Sequence, residues 1–180
     1  MIRTATLDDI PDIEALIAAS VHGLQAEDYD PEQRNGALGT VFGVDRQMIG
    51  DGTYFVVEVE GRIAACGGWS RRRTPFGGDH SPRKDDSLLD PAADAARIRA
   101  FFVHPACARR GLGTLLLRTC EDAARAGGFT RAELTSTLTG VALYAARGYE
   151  ARERLEIALG NGAKLPVVRM EKPVVGSLDR

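Results

Sequence analysis

Two glycines and two arginines between residues 108 and 113 are the residues best suited to bind an anion. The segment reads Ala-Arg-Arg-Gly-Leu-Gly, and it joins an apolar stretch ending at Val103 to a leucine-rich stretch with helical periodicity. The first N–H groups of a helix have no partner within the helix, and the helix dipole adds positive charge there. Gly111 and Gly113 carry no side chain that would keep a ligand away. This junction therefore predicts a phosphate site.

Two common phosphate-binding loops fit this segment poorly. A nucleotide-binding P-loop needs a further glycine followed by Lys and Ser or Thr, and the residues after Gly113 lack that pattern. A dinucleotide-binding turn needs a third small residue where Leu116 stands. The other alternative is an ordinary helix start in which the two glycines have no ligand.

The pattern from Val103 to Leu116 closely resembles the acyl-CoA pyrophosphate loop of the GCN5-related N-acetyltransferases, with Val-His-Pro followed by Arg-Arg-Gly-Leu-Gly and two leucines. The resemblance implies that backbone amides hold the pyrophosphate of acetyl-CoA and that the preceding strand binds the pantetheine arm. Ala108 stands where the family usually has Arg or Gln. The cofactor-binding residues implied by the resemblance are Phe102, Val103, Ala108, Arg109, Arg110, Gly111, Leu112, Gly113 and Thr114, together with Thr137 and Tyr144 from a second segment.

That second segment supplies the candidate proton donor. Residues 137–149 read TLTGVALYAARGY and resemble the family pattern Asn-x-x-Ala-x-x-x-Tyr-x-x-x-Gly-Phe/Tyr, with Thr137 and Gly140 in place of Asn and Ala. The resemblance implies that Tyr144 lies beside the CoA sulfur and donates a proton to the departing thiolate. A phenol, with a pKa near ~10, is protonated at neutral pH and suits this role. A tyrosine that only packs in the core is the alternative, and the sequence identifies no general base.

Periodicity along the chain predicts the elements that must position these residues. The resemblance implies an α/β (α+β) fold, in which a mixed, mostly antiparallel sheet of six or seven strands is flanked by helices and strands four and five form a splayed parallel pair. We expect a single domain over residues 1–172, with a tail at 173–180. The predicted strands are residues 2–6, 53–60, 62–71, 98–103, 130–136, 149–159 and 164–172, and the predicted helices begin near residues 6, 31, 44, 111 and 138.

Several side chains have both a structural and a functional interpretation. Tyr29, His22 and Phe42 could line an acceptor pocket or simply pack, and Trp69 is expected in the core rather than in a pocket wall. Gly67-Gly68 predicts a bulge. The helix that follows the phosphate loop is expected to bury Leu112, Leu115, Leu116, Thr119, Cys120, Ala123 and Ala124.

Residues 72–92 form the least regular stretch, which we interpret as a loop insertion between strands three and four. Because strands three and four should be antiparallel, we expect this insertion and the hairpin at Asn161-Gly162 at the edge away from the phosphate loop, on the acceptor side. The run Arg71-Arg72-Arg73 is expected to be a solvated loop base, with a carboxylate-bearing substrate as the alternative.

Length and composition bound the function. The chain has 180 residues, 44% of them hydrophobic and 27% charged, with a net charge of -2, which argues against a nucleic-acid surface. Three cysteines without framework spacing favour a reducing compartment, and we expect a cytoplasmic protein without a membrane segment. The leading prediction is transfer of an acetyl group from acetyl-CoA to a primary amine of a small molecule or peptide, with no metal. A homodimer is one candidate assembly. The alternatives are a non-catalytic acyl-CoA sensor, or an acyltransferase that uses another acyl-CoA or an alcohol acceptor.

Overall fold

The computed structural model describes residues 1–175. Within these residues, seven strands form one sheet. All neighbouring strands are antiparallel except the fourth and fifth, which are parallel, so the predicted mixed sheet with one parallel pair is confirmed. The strands are β1 (Ile2–Thr4), β2 (Tyr54–Val59), β3 (Arg62–Ser70), β4 (Ala96–Val103), β5 (Arg131–Thr137), β6 (Glu150–Ala158) and β7 (Lys164–Pro173). Their order in the sheet is β1-β2-β3-β4-β5-β7-β6.

The helices cover both faces of this sheet. One hydrophobic cluster lies under the first helix and includes Cys66 and Phe102, whereas the neighbouring residues Ala65 and Phe101 point to clusters under the fourth helix. This alternation is the period of a strand buried on both faces. The helices are α1 (Ile10–Leu24), α2 (Pro31–Ala37), α3 (Arg46–Gly50), α4 (Leu112–Ala126) and α5 (Val141–Ala146).

A gap separates the ends of β4 and β5, next to a bulge in β4. Pairing between these strands stops at Ile98 and Leu134, and beyond that point the strands diverge and leave a gap. Next to the gap, Ala100 and Phe101 on β4 face the single residue Gly67 on β3, and Ala100 has a positive φ of 58°. A side chain at Gly67 would overlap the ring of Phe101, which explains the glycine. The bulge predicted from the glycines is present, with its extra residue on β4.

The buried face of α4 differs from the one that periodicity predicted. The structure exposes 40% of Leu115 and buries Leu117 and Glu121. Glu121 is buried because Lys172 of β7 lies 3.0 Å from its carboxylate, and a charge is buried at lower cost when it is paired. The hydrophobic periodicity of α4 alone predicts that every charged residue of the helix is exposed. It contains no information about Lys172, which lies on β7. As expected, Trp69 lies in the core, edge to face with Phe129 at 6.0 Å.

The insertion follows β3 at the end of the sheet away from the phosphate loop and then folds back over the α1 face. Its base is tied by Arg72 to Asp51, with Nε 2.7 Å from Oδ2, and Thr74 bonds the backbone of Asp85. The hairpin at Asn161-Gly162 opens at the opposite end, so its expected position was wrong. β7 runs antiparallel to β5 and begins where β5 ends, because Thr137 pairs with Val167.

The C-terminal boundary is later than expected. β7 continues through Pro173, and the N–H of Val174 donates to the carbonyl of Thr130 at 2.8 Å. The frayed tail predicted for Gly176–Arg180 lies outside the described residues. None of the helices within residues 1–175 has the length and apolar character needed to cross a membrane.

Candidate active site

The loop between β4 and α4 presents a run of free backbone donors. A turn at Pro105–Cys107, capped by the His104 side chain, leads into Arg109 with φ 62° and Gly111 with φ 81°. Gly111 is the N-cap of α4. Within residues 1–175, no internal hydrogen bond is formed by the backbone N–H groups of residues 109–114. Consecutive free N–H groups at a helix start can hold a phosphate.

The side chains of this loop leave the donors accessible. Arg109 and Arg110 are exposed, and neither forms an ion pair with another described residue. A side chain at Gly111 would meet open space, yet its positive φ makes any residue but glycine strained there. At Gly113 a Cβ would lie 3.0 Å from Leu143 of α5, so this glycine allows close approach of α5. Ala108 precedes the free donors in extended conformation.

The edge of β4 that faces the gap is open for main-chain hydrogen bonds. The N–H of His104 donates to the carbonyl of Ala64 on β3 at 2.8 Å. Because backbone groups alternate along a strand, the N–H and C=O of Val103 point away from β3 towards the gap, and those of Phe102 point towards β3. Beyond Ile98 no β5 residue pairs with this edge. An extended ligand could therefore bind there as an added strand.

Tyr144 of α5 lies against the gap from the α4 face. Only 8% of the residue is exposed, and its ring centroid lies 6.2 Å from that of Phe101. Its hydroxyl forms no hydrogen bond with any group in residues 1–175. Burial, followed by the nearby thiol of Cys120, raises the pKa of Tyr144 above its usual value, so the phenol stays protonated. Tyr144 can therefore donate a proton but is poorly suited to accept one.

The gap contains a cavity of about 70 Å³. Aromatic rings from three separate segments, Phe42, Phe76 and Phe102, form much of its wall. Thr137 also lines it, and its Oγ1 accepts a hydrogen bond from the Gly140 N–H at 3.2 Å, which caps the turn before α5. Ligand pockets usually measure roughly 300–1,000 Å³, so this cavity is sized for reacting groups rather than for a whole cofactor.

The comparisons with known proteins decide the family. The model of the acetyltransferase (GNAT) family matches residues 19–149, which is most of the chain and includes the free-donor loop and Tyr144. The chain belongs to this family. No curated protein matches the sequence of this GNAT chain significantly.

Solved structures share the fold of this GNAT chain at low sequence identity. A GCN5-related N-acetyltransferase from Rhodopseudomonas palustris is 22% identical, with a TM-score of 0.72 over 96% of this chain and 94% of its own. YncA, an acetyltransferase from Salmonella typhimurium solved with acetyl-CoA, is 16% identical, with a TM-score of 0.65 over 100% and 96% of the two chains. PaiA N-acetyltransferase from Thermoplasma acidophilum, solved with coenzyme A, is 12% identical, with a TM-score of 0.64 over 96% and 98%.

Of the three residues that could either line an acceptor pocket or simply pack, two do not line the cavity. His22 is exposed on α1, whereas Phe42 lines the cavity. The Tyr29 hydroxyl donates to the carbonyl of Pro166 at 2.6 Å and accepts from the N–H of Leu138 at 2.9 Å. Burial raises the pKa of Tyr29 to about 12. Tyr29 thus ties β7 to the start of the Tyr144 segment, a position that the local sequence could not predict.

Sequence reasoning missed part of the cavity wall on the α1 face. The wall includes Phe76 and Gly77 of the insertion and Arg99 of β4. The only available signals were one arginine within the apolar strand predicted at 98–103 and one aromatic residue in an irregular loop. The three arginines that were considered lie elsewhere: Arg71 is 5.5 Å from the Trp69 ring, and Arg72 and Arg73 pair with aspartates.

The acidic residue of β5 near the GNAT site is held in ion pairs with arginines. Glu133 of β5 pairs with Arg97 and, at 3.1 Å, with Arg169, which holds its carboxylate away from proton transfer at the cavity. Among residues 1–175, no group of three or more His, Cys, Asp or Glu side chains is arranged to hold a metal ion.

Proposed function

We propose that the protein is an acetyl-CoA-dependent N-acetyltransferase that transfers the acetyl group directly to a primary amine of a small molecule or peptide. One observation carries the proposal: an open strand edge at Val103 connects the free N–H groups of residues 109–114 with the gap beside the Tyr144 hydroxyl. The two solved structures with coenzyme A or acetyl-CoA share this fold and support the choice of cofactor.

The residues present fit that cofactor. Free amides at 109–114 would hold the pyrophosphate, with Arg109 and Arg110 adding charge at the rim. The Val103 edge would hold the pantetheine amides, and Phe102 and Thr137 would flank the reactive end. Acetyl-CoA, when bound, supplies an acetyl group activated as a thioester. Backbone N–H groups of β4 on the open side would stabilise negative charge that develops on the acetyl oxygen.

Tyr144 is the proposed general acid. Its Oη carries a proton throughout the neutral pH range and would give it to the leaving sulfur. The amine would form the new bond to the acetyl carbon as the bond to sulfur breaks. Its surplus proton would leave through water, and the Tyr144 oxygen would regain a proton from water. Apolar walls and a nearby arginine lower the pKa of a bound amine, so the neutral nucleophile is favoured without a protein base.

Two measurements test this proposal. Native mass spectrometry and calorimetry with acetyl-CoA measure the cofactor, and release of free thiol across a panel of amines measures transfer. Tight binding together with transfer to at least one amine supports the proposal. Binding without transfer to any amine would favour the acyl-CoA sensor, and a preference for a longer acyl-CoA or an alcohol acceptor would favour another acyltransferase.

A further inference from the structure

Arg99 of β4 is a buried cation in the wall of the cavity. Its side chain is 3% exposed, and Nη2 lies 3.0 Å from Oδ2 of Asp45 and donates to the carbonyl of Gly77 at 2.5 Å. Nε is buried and has no hydrogen-bond partner among residues 1–175. A buried N–H without an acceptor is costly, particularly on a charged group. Arg97 also has a buried Nε without a partner, but only Arg99 of the two lines the cavity, so Arg99 suits an acceptor atom supplied from outside the protein.

The ion pairs around Arg99 leave it a shared carboxylate rather than one of its own. Asp45 also binds Lys84 at 2.9 Å, and Lys84 lies 3.7 Å from Asp79. Arg46 binds Asp79 at 2.7 Å. Direct ion pairs thus join three cations to two carboxylates, and the charge of Asp86 acts on Arg99 without a direct ion pair. Because the Asp45 carboxylate is shared between Arg99 and Lys84, a further carboxylate can pair with Arg99.

The rest of the cavity wall disfavours a ligand whose only charge is positive. Of the described residues that line the cavity, Arg99 is the one with a charged side chain, and the others are apolar, hydroxyl-bearing or glycine. No carboxylate of the wall could pair with an ammonium group. The apolar surroundings instead favour an amine in its neutral, nucleophilic form.

We propose that the acceptor is a small amino carboxylate whose carboxylate binds Arg99 and whose amine faces the gap beside Tyr144. This inference rests on the proposed function. A planar carboxylate with one charge matches a guanidinium group that offers a free Nε–H. The cavity of about 70 Å³ favours a compact acceptor over a folded protein surface. The carboxylate-binding arginine is then Arg99 rather than one of Arg71-Arg72-Arg73.

Matched sets of three acceptors test the proposal. Each set holds an amino acid, its amide and its decarboxylated amine: alanine, alaninamide and ethylamine; leucine, leucinamide and isopentylamine; phenylalanine, phenylalaninamide and phenethylamine. With acetyl-CoA saturating, we expect kcat/KM for at least one amino acid to exceed that of both its partners by about 10²–10³-fold. Arg99→Met should remove this preference, and Arg99→Lys should keep part of it.

A neighbouring arginine provides the control. Arg97 lies two residues before Arg99 on the same face of β4, pairs with Glu133 and does not line the cavity. Arg97→Met removes the same charge from the same strand and should leave the preference unchanged. In Arg99→Met, the Asp45 carboxylate still has its ion pair with Lys84. The double variant Arg99→Met with Asp45→Asn also removes the carboxylate that Arg99 leaves behind. Melting temperatures show that each variant is folded.

The outcomes separate this inference from the proposed function. Calorimetric binding of the same amino acids and amides, with and without coenzyme A, measures Arg99 independently of turnover. Equal binding and turnover of acid and amide, or a preference that survives in Arg99→Met, would overturn the inference while leaving acetyl transfer intact. The inference is also wrong when acetyl-CoA binds but no amino acid binds or reacts. Failure of acetyl-CoA to bind contradicts the proposed function, and amino-acid binding that depends on Arg99 would still support the inference.

Discussion

The two sides of the gap between β4 and β5 are built in different ways. On the α4 face, the candidate cofactor site is one continuous segment, in which a strand, eight loop residues at 104–111 and a helix follow one another. On the α1 face, the cavity wall combines residues as far apart in sequence as Val41 and Val167. A continuous segment can bind the same cofactor in many proteins, whereas a wall assembled from distant segments can change with each acceptor. We therefore expect substitutions on the two faces to affect different substrates.

Gly111→Glu should have the largest effect. The substitution forces a side chain into a backbone with φ 81° and adds a negative charge beside the free donors of α4. Acetyl-CoA affinity should fall below detection in calorimetry. Acceptor binding, measured without cofactor, should stay within about threefold, because the α1 face is untouched.

Two variants separate the causes of that loss. Gly111→Ala introduces the backbone strain of a Cβ, on the order of 1–2 kcal/mol, without the charge. Arg110→Ala should weaken binding only modestly, because exposed charges contribute little. Unchanged affinity in Gly111→Glu would mean that these amides do not hold the cofactor.

Tyr144→Phe should be next in size. It keeps the ring packing against Phe101 and removes a hydroxyl that has no hydrogen bond within residues 1–175. General acid catalysis is typically worth ~10²–10⁴-fold, so kcat should fall by about that factor. Neither the melting temperature nor the acetyl-CoA affinity should change appreciably.

The pH dependence of the unmodified enzyme sharpens the Tyr144 assignment. Burial raises the pKa of Tyr144, so its proton is lost only above the usual value of about 10. The rate should therefore show no alkaline decline from Tyr144 below about pH 10. Full activity in Tyr144→Phe would instead assign the proton to water or another donor.

Phe76→Leu should have a smaller effect, on the other face. Phe76 lines the cavity and is 9% exposed, and a smaller side chain loosens the acceptor wall. KM for the acceptor should rise by about 10-fold, as is typical for a small change in an apolar pocket. KM for acetyl-CoA should stay constant.

Leu88→Ala is the matched control in the same insertion. Leu88 is 60% exposed and does not line the cavity, so neither KM should change. A rise in the acetyl-CoA KM for Phe76→Leu would place the insertion on the cofactor side and contradict the division between the two faces.

The division between a continuous segment and a wall of distant segments also explains which parts of the site could be predicted from the sequence. The strand-to-helix joint at 98–128 was predictable because hydrophobic periodicity, glycines and free helix donors act locally. The burial of Arg99 was not predictable, since it depends on Asp45 before β2 and on Gly77 in the insertion, which meet only in the folded chain. Glu121 was missing from the expected buried face for the same reason, because Lys172 lies far along the chain. Tyr29 kept two interpretations because the sequence does not show its partners on β7 and before α5.

Thr137→Val should have the smallest effect, and it tests a residue that lies between the two faces. Resemblance predicts a cofactor contact for Thr137, whereas in the structure its Oγ1 caps the turn that leads to Tyr144. Loss of a cap costs about 1 kcal/mol, which corresponds to a lower melting temperature of roughly 2–4 °C. Acetyl-CoA affinity should fall at most a few-fold, because we propose that the amides of residues 109–114 provide most of the contacts. Thr135→Val is the control: Thr135 lines the same cavity without a side-chain hydrogen bond to any described residue, so the melting temperature should not change. A large loss of affinity in Thr137→Val at an unchanged melting temperature would make Thr137 a cofactor ligand rather than a cap.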